Sequence, residues 1–429
     1  MGVTRLDEGG TVTTAPTQPD FAPLAEKLRH FTFKQKLALK LLDDPRWLAA
    51  ILRRVWPIAC VGKGALVTRY DDVMEILGRD KDFPVPFGPK FKMLDRAGEN
   101  FILGMERDDK YRKIHAEAMR IFALADLPRI AAFSAQRAEA LVAAGNGEID
   151  CIAGLLTRVP VDIVGDYFGI PCDNPDFALW LLAMNYNSFP HFTDSPDVEP
   201  AALAGASYVG PLVDDAIRRA KAAPPDGTTI LGRFVAAQRD VPDVLTDDVI
   251  RATIVGFILG FVPTNNRASG QIMEWLLTHA DVLSAAEAAA RSGDDDLLGR
   301  VLFEALRFHP INPGPFRDCP EDTVVAAGTP RATTIRAGTS VVASTLSASF
   351  DPRRVPDPNT FDPSRGIADT MRFGWGQHWC IGYGIAIAQI TQTFKPLLRR
   401  GRLRRAPGKR GKPALFGPFY EHLFVTYRP

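Results

Sequence analysis

Apolar residues recur at helical spacing along most of this chain. This spacing predicts helices over 127–144, 149–168, 177–188, 207–223 and 229–239, separated by Pro or Gly. Strand-like alternation is confined to short stretches: a hairpin at 59–69, then 323–325, 333–336 and 340–344. Two irregular stretches, 81–105 and 187–200, are rich in Phe and Pro, and the first has the length either of a binding loop or of a surface loop held by its own aromatic side chains. The pattern predicts a mainly α protein with a small β region.

One predicted helix is much longer than the others and runs from an N-cap at Thr246 to about His279. Its middle is apolar on nearly all sides, which indicates burial. Pro263 lies inside it and removes the backbone hydrogen bond to the carbonyl of Leu259, so we expect a kink there. Thr264 follows the proline directly. The helix should therefore carry a notch with a free carbonyl and polar side chains beside it.

A glycine-spaced cysteine stands just before the last long helical pattern, in the sequence Phe373-Gly-Trp-Gly-Gln-His378-Trp-Cys380-Ile-Gly382. The glycines allow a tight loop. The positive end of the following helix dipole and its unpaired N–H groups favour the thiolate of Cys380. A sheltered thiolate is suited to holding one soft metal centre.

Other roles for Cys380 explain the stretch less well. A buried structural thiol is the common fate of a cysteine, but it leaves the glycine spacing and His378 unexplained. No second Cys or His pair stands at zinc-ligand spacing. A dinucleotide loop would need a third glycine and a preceding strand. Axial ligation of a haem iron is the remaining interpretation.

The motif Phe373-x-x-Gly-x-His378-x-Cys380-x-Gly382 resembles the haem-binding signature of the cytochrome P-450 family. The resemblance implies a single-domain cytochrome P-450 fold, covering 23–429 after a disordered tail at 1–22. It also implies iron protoporphyrin IX as cofactor, with Cys380 as axial ligand and Phe373, His378 and Gly382 around the haem.

Further motifs follow in the family's order. The resemblance implies that Arg112 and Arg317 contact the haem propionates, although Asp108 departs from the usual partner of the first arginine. Glu304 and Arg307 match the family's Glu-x-x-Arg brace behind the haem loop. Its usual third member, a basic residue before Phe361, is replaced by Thr360, so we expect an incomplete brace or one closed by Arg365.

The long helix departs from the family at the oxygen side. The resemblance implies that Thr264 assists proton delivery during oxygen activation, but Pro263 takes the place of the neighbouring acid. The first hypothesis is a monooxygenase that uses O₂. The alternative is a hydroperoxide isomerase or peroxygenase acting on an oxidised lipid, with Asn265 or Asn266 positioning the substrate oxygens. A haem-bound sensor or carrier is a third hypothesis.

The expected substrate is a small, mostly apolar molecule. The side chains that we expect to line its pocket come from the irregular stretch at 81–105, the long helix, the proline-rich stretch before Arg317 and the C-terminal segment. They are Phe87, Phe257, Phe261, Pro313 and Phe419.

Composition limits the kinds of partner that we expect this protein to bind. The formal net charge of +1 does not indicate nucleic acid. Five scattered cysteines fit a reduced, cytoplasmic protein, and no apolar run approaches the roughly 18–20 residues that span a bilayer, so no membrane anchor is expected. The resemblance implies electrons from a separate ferredoxin or flavin-type donor, and we expect a monomer.

Overall fold

A computed structural model of the chain describes residues 20–35, 45–94, 101–189, 195–224 and 226–429. The predicted tail at 1–22 lies almost entirely outside these residues. In the first half the helices are α1 (Ala22–Arg29), α2 (Arg46–Val55), α3 (Tyr70–Gly78), α4 (Gly88–Leu94), α5 (Asp109–Ile121), α6 (Leu127–Ala144), α7 (Arg158–Ile163), α8 (Phe177–Ser188) and α9 (Val198–Ala222). In the second half they are α10 (Ile230–Gln238), α11 (Asp247–Thr278), α12 (Ala280–Ser292), α13 (Asp295–Phe308), α14 (Thr345–Ala348) and α15 (Tyr383–Arg400).

The strands are short. They are β1 (Ile58–Val61), β2 (Gly64–Val67), β3 (Glu148–Asp150), β4 (Phe316–Cys319), β5 (Thr323–Val325), β6 (Thr333–Ile335), β7 (Thr339–Ala343), β8 (Arg404–Arg405), β9 (Ala414–Phe416), β10 (Phe419–His422) and β11 (Phe424–Thr426). The largest sheet has the order β1-β2-β7-β4, in which only β2 and β7 run parallel. The predicted fold class, mainly α with a small β region, is confirmed.

Helix α11 is the axis of the larger hydrophobic core. Thr246 caps its N-terminus by accepting a hydrogen bond from the backbone N–H of Val249 at 3.2 Å. Most of its residues are buried, because α8, α9 and α13 pack around it. The predicted helix from Thr246 to His279, running through Pro263, is confirmed.

Two predictions about irregular segments need correction. The stretch 81–105 is not a continuous loop, because α4 forms within it after Phe87 and a short 3₁₀ turn follows at Ile102–Gly104. Within the second irregular stretch, 187–200, residues 190–194 lie outside the described part of the chain. Helix α9 begins at Val198, nine residues before the predicted start at 207, since alanines and glycines permit close packing against α8 without an obvious apolar stripe.

None of the helices in the described ranges is long and apolar enough to cross a membrane.

Candidate haem site

The cysteine loop is folded as its glycines predict. The backbone N–H of Cys380 donates to the carbonyl of Phe373 at 3.0 Å, which closes the loop. Gly374 and Gly376 both have positive φ, at 82° and 72°. A Cβ on Gly376 would also lie 2.6 Å from the carbonyl oxygen of Leu77, so this position holds the loop against α3. Glycine is therefore required by backbone geometry at this point.

The thiol of Cys380 is not activated by the protein alone. It lies three residues before the first residue of α15, and the backbone N–H of Gly382 lowers its pKa slightly, but burial dominates and raises the pKa to about 11. The sequence-based expectation of a thiolate stabilised by the helix end is therefore corrected. A positive partner for the sulfur has to supply the missing stabilisation.

A polar cluster faces the same loop. The Arg317 side chain is buried, and its nearest hydrogen-bond partner is the carbonyl of Phe316 at 2.9 Å. His378 lies close enough for Arg317 to lower its pKa, and burial, which is the larger cause, brings that pKa to about 3. His378 is therefore a neutral donor, whereas Arg317 carries the positive charge.

Helix α5 presents a face to this cluster that the sequence analysis did not select. The rings of Tyr111 and His378 meet edge to face at 6.3 Å, and His115 stacks on Tyr111 at 5.3 Å. Tyr111 is buried and His115 is half-buried, and both follow the apolar face of the helix. The helical periodicity of apolar residues in α5 is the sequence pattern that could have predicted Tyr111 and His115 as inward-facing.

Arg112 is on the other side of α5. Its side chain is 58% exposed and pairs with Asp109 one turn away. Asp108, which replaces the family's usual partner of this arginine, caps the helix. Its side chain accepts a hydrogen bond from the backbone N–H of Tyr111 at 2.7 Å. The structure thus does not bring Arg112 to the cysteine loop, because Tyr111 and His115 occupy the inward face.

Helix α11 has an exposed face near its middle. Gly260 is exposed, with open space where a Cβ would lie, and Thr264 one turn later is half-buried. The neighbours on the other faces are buried. The hydroxyl of Thr264 donates to the Gly260 carbonyl, and its oxygen keeps lone pairs for a further donor.

The carbonyl freed by Pro263 is not left unpaired. Asn185 of α8 donates its amide Nδ2 to the Leu259 oxygen at 3.0 Å inside the core. The notch predicted from the proline therefore exists, but a side chain from a neighbouring helix satisfies it. No local sequence pattern predicts this partner, since the two residues are 74 positions apart.

The asparagines after Thr264 have different surroundings. Asn266 is fully buried and joins α11 to Thr157 and to the backbone of Tyr420, with distances of 2.8–3.1 Å. Asn265 is buried and donates to the carbonyl of Phe261 at 2.7 Å, while its Oδ1 has no partner among the described residues. Asn266 therefore has a structural environment, and Asn265 keeps one acceptor available.

Removing the Asn185 side chain should destabilise the protein at the kink. We expect Asn185→Ala to lower the free energy of unfolding by about 1–3 kcal/mol, because the Leu259 carbonyl would be buried without a donor. In Asn185→Ala/Pro263→Ala the helix can remake its own hydrogen bond, so part of the loss should return. Urea unfolding followed by circular dichroism measures both. Equal losses in the single and double variants would contradict this account.

A buried ion cluster supports the loop from behind. Arg307 donates to Glu304 at 2.7 Å, and both side chains are almost fully buried. Arg365 and Arg372 also approach the Glu304 carboxylate, at 3.5 and 3.8 Å. Arg365 thus supplies the third basic residue of the brace, which Thr360 cannot provide. Arg372 is a further member that sequence reasoning missed.

A cavity of about 210 Å³ lies beside the loop. Phe87, Phe189, Arg317, Trp375 and His378 are among the residues that line it. The other proposed pocket residues are placed differently. Phe257 and Phe261 pack into an aromatic core with Phe168, Phe419 is buried, and Pro313 does not line this cavity although its neighbours Asn312 and Gly314 do.

These features fit a haem group. Cys380 keeps accessible surface although it is deep in the protein, and the side-chain amide of Gln377, beside His378, is buried with no partner in the described part of the chain. Arg317, His378 and His115 are donors suited to carboxylates. A planar cofactor with a metal centre and acidic side groups would meet a ligand and hydrogen-bond donors at this loop.

Comparisons with known proteins agree with this arrangement. The family model described as Cytochrome P450 matches residues 218–426. The cytochrome P450 monooxygenase PikC of Streptomyces venezuelae is 28% identical over 276 residues, 64% of this chain and 61% of that protein. The vitamin D(3) 25-hydroxylase of Pseudonocardia autotrophica is 26% identical over 362 residues, 81% of each chain. The crystal structure of CalO2 has the same fold, with a TM-score of 0.76 and 20% identity over 91% of this chain and 97% of that one.

The fold and the cysteine loop together define a haem-thiolate protein. Residues 218–426 match the model of the cytochrome P450 family, whose cofactor is haem held by a cysteine thiolate.

Proposed function

We propose that the protein is a monooxygenase that inserts one oxygen atom from O₂ into a mostly apolar small molecule. The observation that carries the proposal is the cysteine loop, closed between Cys380 and Phe373, beside a cavity that Phe87, Phe189 and His378 line. PikC and the vitamin D(3) 25-hydroxylase, which are named for a monooxygenase and a hydroxylase, support the same reaction class.

Within this proposal, Cys380 is the axial ligand, and Phe373 and Gly382 shape the loop around it. Haem held by a thiolate supplies the activation of oxygen and the cleavage of its O–O bond. Arg317 provides positive charge for the propionates, with His378 and His115 as N–H donors. The side chain of Arg112, which the family resemblance assigns to a propionate, pairs with Asp109 in the structure.

Thr264 has a more restricted role than in the sequence-based expectation. Its proton is held by the Gly260 carbonyl, and the two preceding side chains, Val262 and Pro263, cannot donate one. Proton movement at this hydroxyl therefore requires a water molecule that donates to Oγ1 when the hydroxyl turns from Gly260. Asn265 could not replace it as an acid, because an amide has no acidic proton at neutral pH.

The walls support a mostly apolar substrate. Phe87 and Phe189 pack edge to face at 5.1 Å on the cavity side, and Phe91 joins them. Apolar walls exclude water and leave the substrate to be held by shape. Electrons would come from a separate ferredoxin or flavin-type donor, the kind of partner that the family implies.

The oxidant can be tested directly. The purified protein is given candidate substrates under two conditions: O₂ with reductant and a ferredoxin system, or a fatty acid hydroperoxide alone. The candidates are first selected by a shift of the haem spin state. Product formation only with O₂ and reductant supports the proposal. Product only from the hydroperoxide assigns the isomerase or peroxygenase activity instead.

The proposed role of His115 as a donor to the haem can be tested by measuring how fast the protein loses haem. We expect His115→Ala to raise the rate of haem loss to apomyoglobin about tenfold, because a hydrogen-bond donor worth about 1.4 kcal/mol is removed. Arg112→Ala on the same helix is the matched control and should stay within about twofold of the unaltered protein, because an exposed ion pair contributes little. A larger effect from Arg112→Ala would show that Arg112 contributes to haem binding.

A further inference from the structure

Helix α2 has its apolar side toward solvent. Trp47 is 63% exposed, Ile51 50% and Val55 70%, and Leu48 is also exposed. Steps of about 100° per residue place these four side chains within an arc of about 100° on one face. Trp56 follows the helix and is exposed as well. We call these five residues, Trp47, Leu48, Ile51, Val55 and Trp56, the α2 patch.

Charged residues on the opposite face of α2 hold it in this orientation. The guanidinium of Arg53 is buried and donates to both the carbonyl and the hydroxyl of Ser347, at 2.8 and 2.9 Å. Arg46 lies over the rings of Phe308 and Phe350 at 5.0 and 5.3 Å. Rotating the helix to bury the α2 patch would break these contacts, so the fold itself keeps the patch exposed.

The patch is unusual within this protein. Of the eleven large hydrophobic residues that are exposed in the described ranges, five belong to the α2 patch. Scattered exposed hydrophobics need no explanation, whereas a cluster on one helix face marks an interaction surface. Two of the five are tryptophans, whose rings are favoured at the boundary between water and hydrocarbon.

The charge around the patch indicates what it contacts. Between Pro45 and Tyr70 the sequence contains five basic residues, Arg46, Arg53, Arg54, Lys63 and Arg69, and no Asp or Glu. Arg54 and Lys63 are exposed, and Arg54 is adjacent to the Trp47 edge of the apolar face. A second copy of this chain would bring the same positive surface against itself, which repulsion disfavours.

We propose that the α2 patch docks the protein onto the surface of an anionic phospholipid bilayer. The apolar face enters the boundary between headgroups and acyl chains, and Arg54 and Lys63 meet the phosphates. A helix of ten residues is only about 15 Å long, so α2 lies in the plane of the interface and does not cross it. The contact is independent of the proposed oxidation.

Vesicle sedimentation tests this proposal with the full-length, haem-loaded protein. We expect binding to vesicles that contain phosphatidylglycerol and at least tenfold weaker binding to pure phosphatidylcholine vesicles. Trp47→Ser/Ile51→Ser should reduce binding to the anionic vesicles at least tenfold. Because both side chains are exposed, the haem spectrum and the circular dichroism of this variant should remain unchanged.

A matched control uses exposed apolar residues elsewhere on the protein. Met119 and Leu203 are 44% and 40% exposed, and Met119→Ser/Leu203→Ser should bind vesicles as the unaltered protein does. Failure to bind anionic vesicles, or equal loss of binding in both double variants, would overturn the proposal. So would a dimer in sedimentation equilibrium that Trp47→Ser/Ile51→Ser dissociates, because the patch would then contact a second copy.

Discussion

Cys380→Ser is expected to abolish the haem-thiolate absorption spectrum of the carbon monoxide complex and to reduce product formation by at least about a hundredfold. A serine hydroxyl is far less acidic than a thiol and is a poor ligand for a soft metal centre. The pKa of Cys380 near 11 already shows that the loop without iron does not stabilise the anion. Ligation to a haem iron would hold the sulfur deprotonated, and the variant would lose that interaction.

Another cysteine provides the control for this variant. Cys60 is also half-buried, and it belongs to β1 and not to the loop, so Cys60→Ser should leave the carbon monoxide spectrum and the turnover unchanged. Haem content is measured separately from the spectrum, by extraction. If Cys380→Ser retained both the thiolate spectrum and activity, a different residue would be the ligand and the proposed site would be wrong.

The cysteine loop could be predicted from sequence because its constraints are local. Gly374 and Gly376 have positive φ, and Phe373 and Cys380 close the turn within eight positions of each other. The length of α11 was likewise predictable, since the N-cap at Thr246 and the apolar repeat on both sides of Pro263 are local signals. Such features depend on neighbours along the chain and require no knowledge of packing.

The residues that sequence reasoning missed are those fixed by contacts between distant elements. Asn185 meets the Leu259 carbonyl from another helix, and Arg372 reaches Glu304 from the loop after α14. The family motif predicts Arg112 as the haem contact, whereas the helical periodicity that buries Tyr111 favours His115. On an amphipathic helix, the face toward the core decides which side chains reach the site.

The pocket was the least predictable part for the same reason. Phe257 and Phe261 are as apolar as Phe87, but α11 directs them into an aromatic core while the segment before α4 directs Phe87 into the cavity. Apolar composition predicts burial without distinguishing a core wall from a cavity wall. That distinction depends on tertiary packing.

Glu304→Gln is expected to lower the free energy of unfolding by about 3–5 kcal/mol, because three guanidinium groups share this one carboxylate. Arg307, Arg365 and Arg372 all have side chains that are at most 10% exposed. A neutral glutamine removes the carboxylate that all three share, although Arg365 keeps Asp362 at 3.9 Å. Urea unfolding of the haem-loaded protein at fixed haem concentration measures the loss.

A second substitution distinguishes the loss of charge balance from the loss of packing. In Glu304→Gln/Arg372→Met one uncompensated cation is removed, so part of the lost stability should return although two residues are changed. An exposed pair on the same helix is the control: Asp296→Asn should cost less than about 1 kcal/mol, because its partner Arg300 is 41% exposed. If the double variant were less stable than Glu304→Gln, the cluster would be held by hydrogen bonds to individual partners, and the single carboxylate would not be its electrostatic centre.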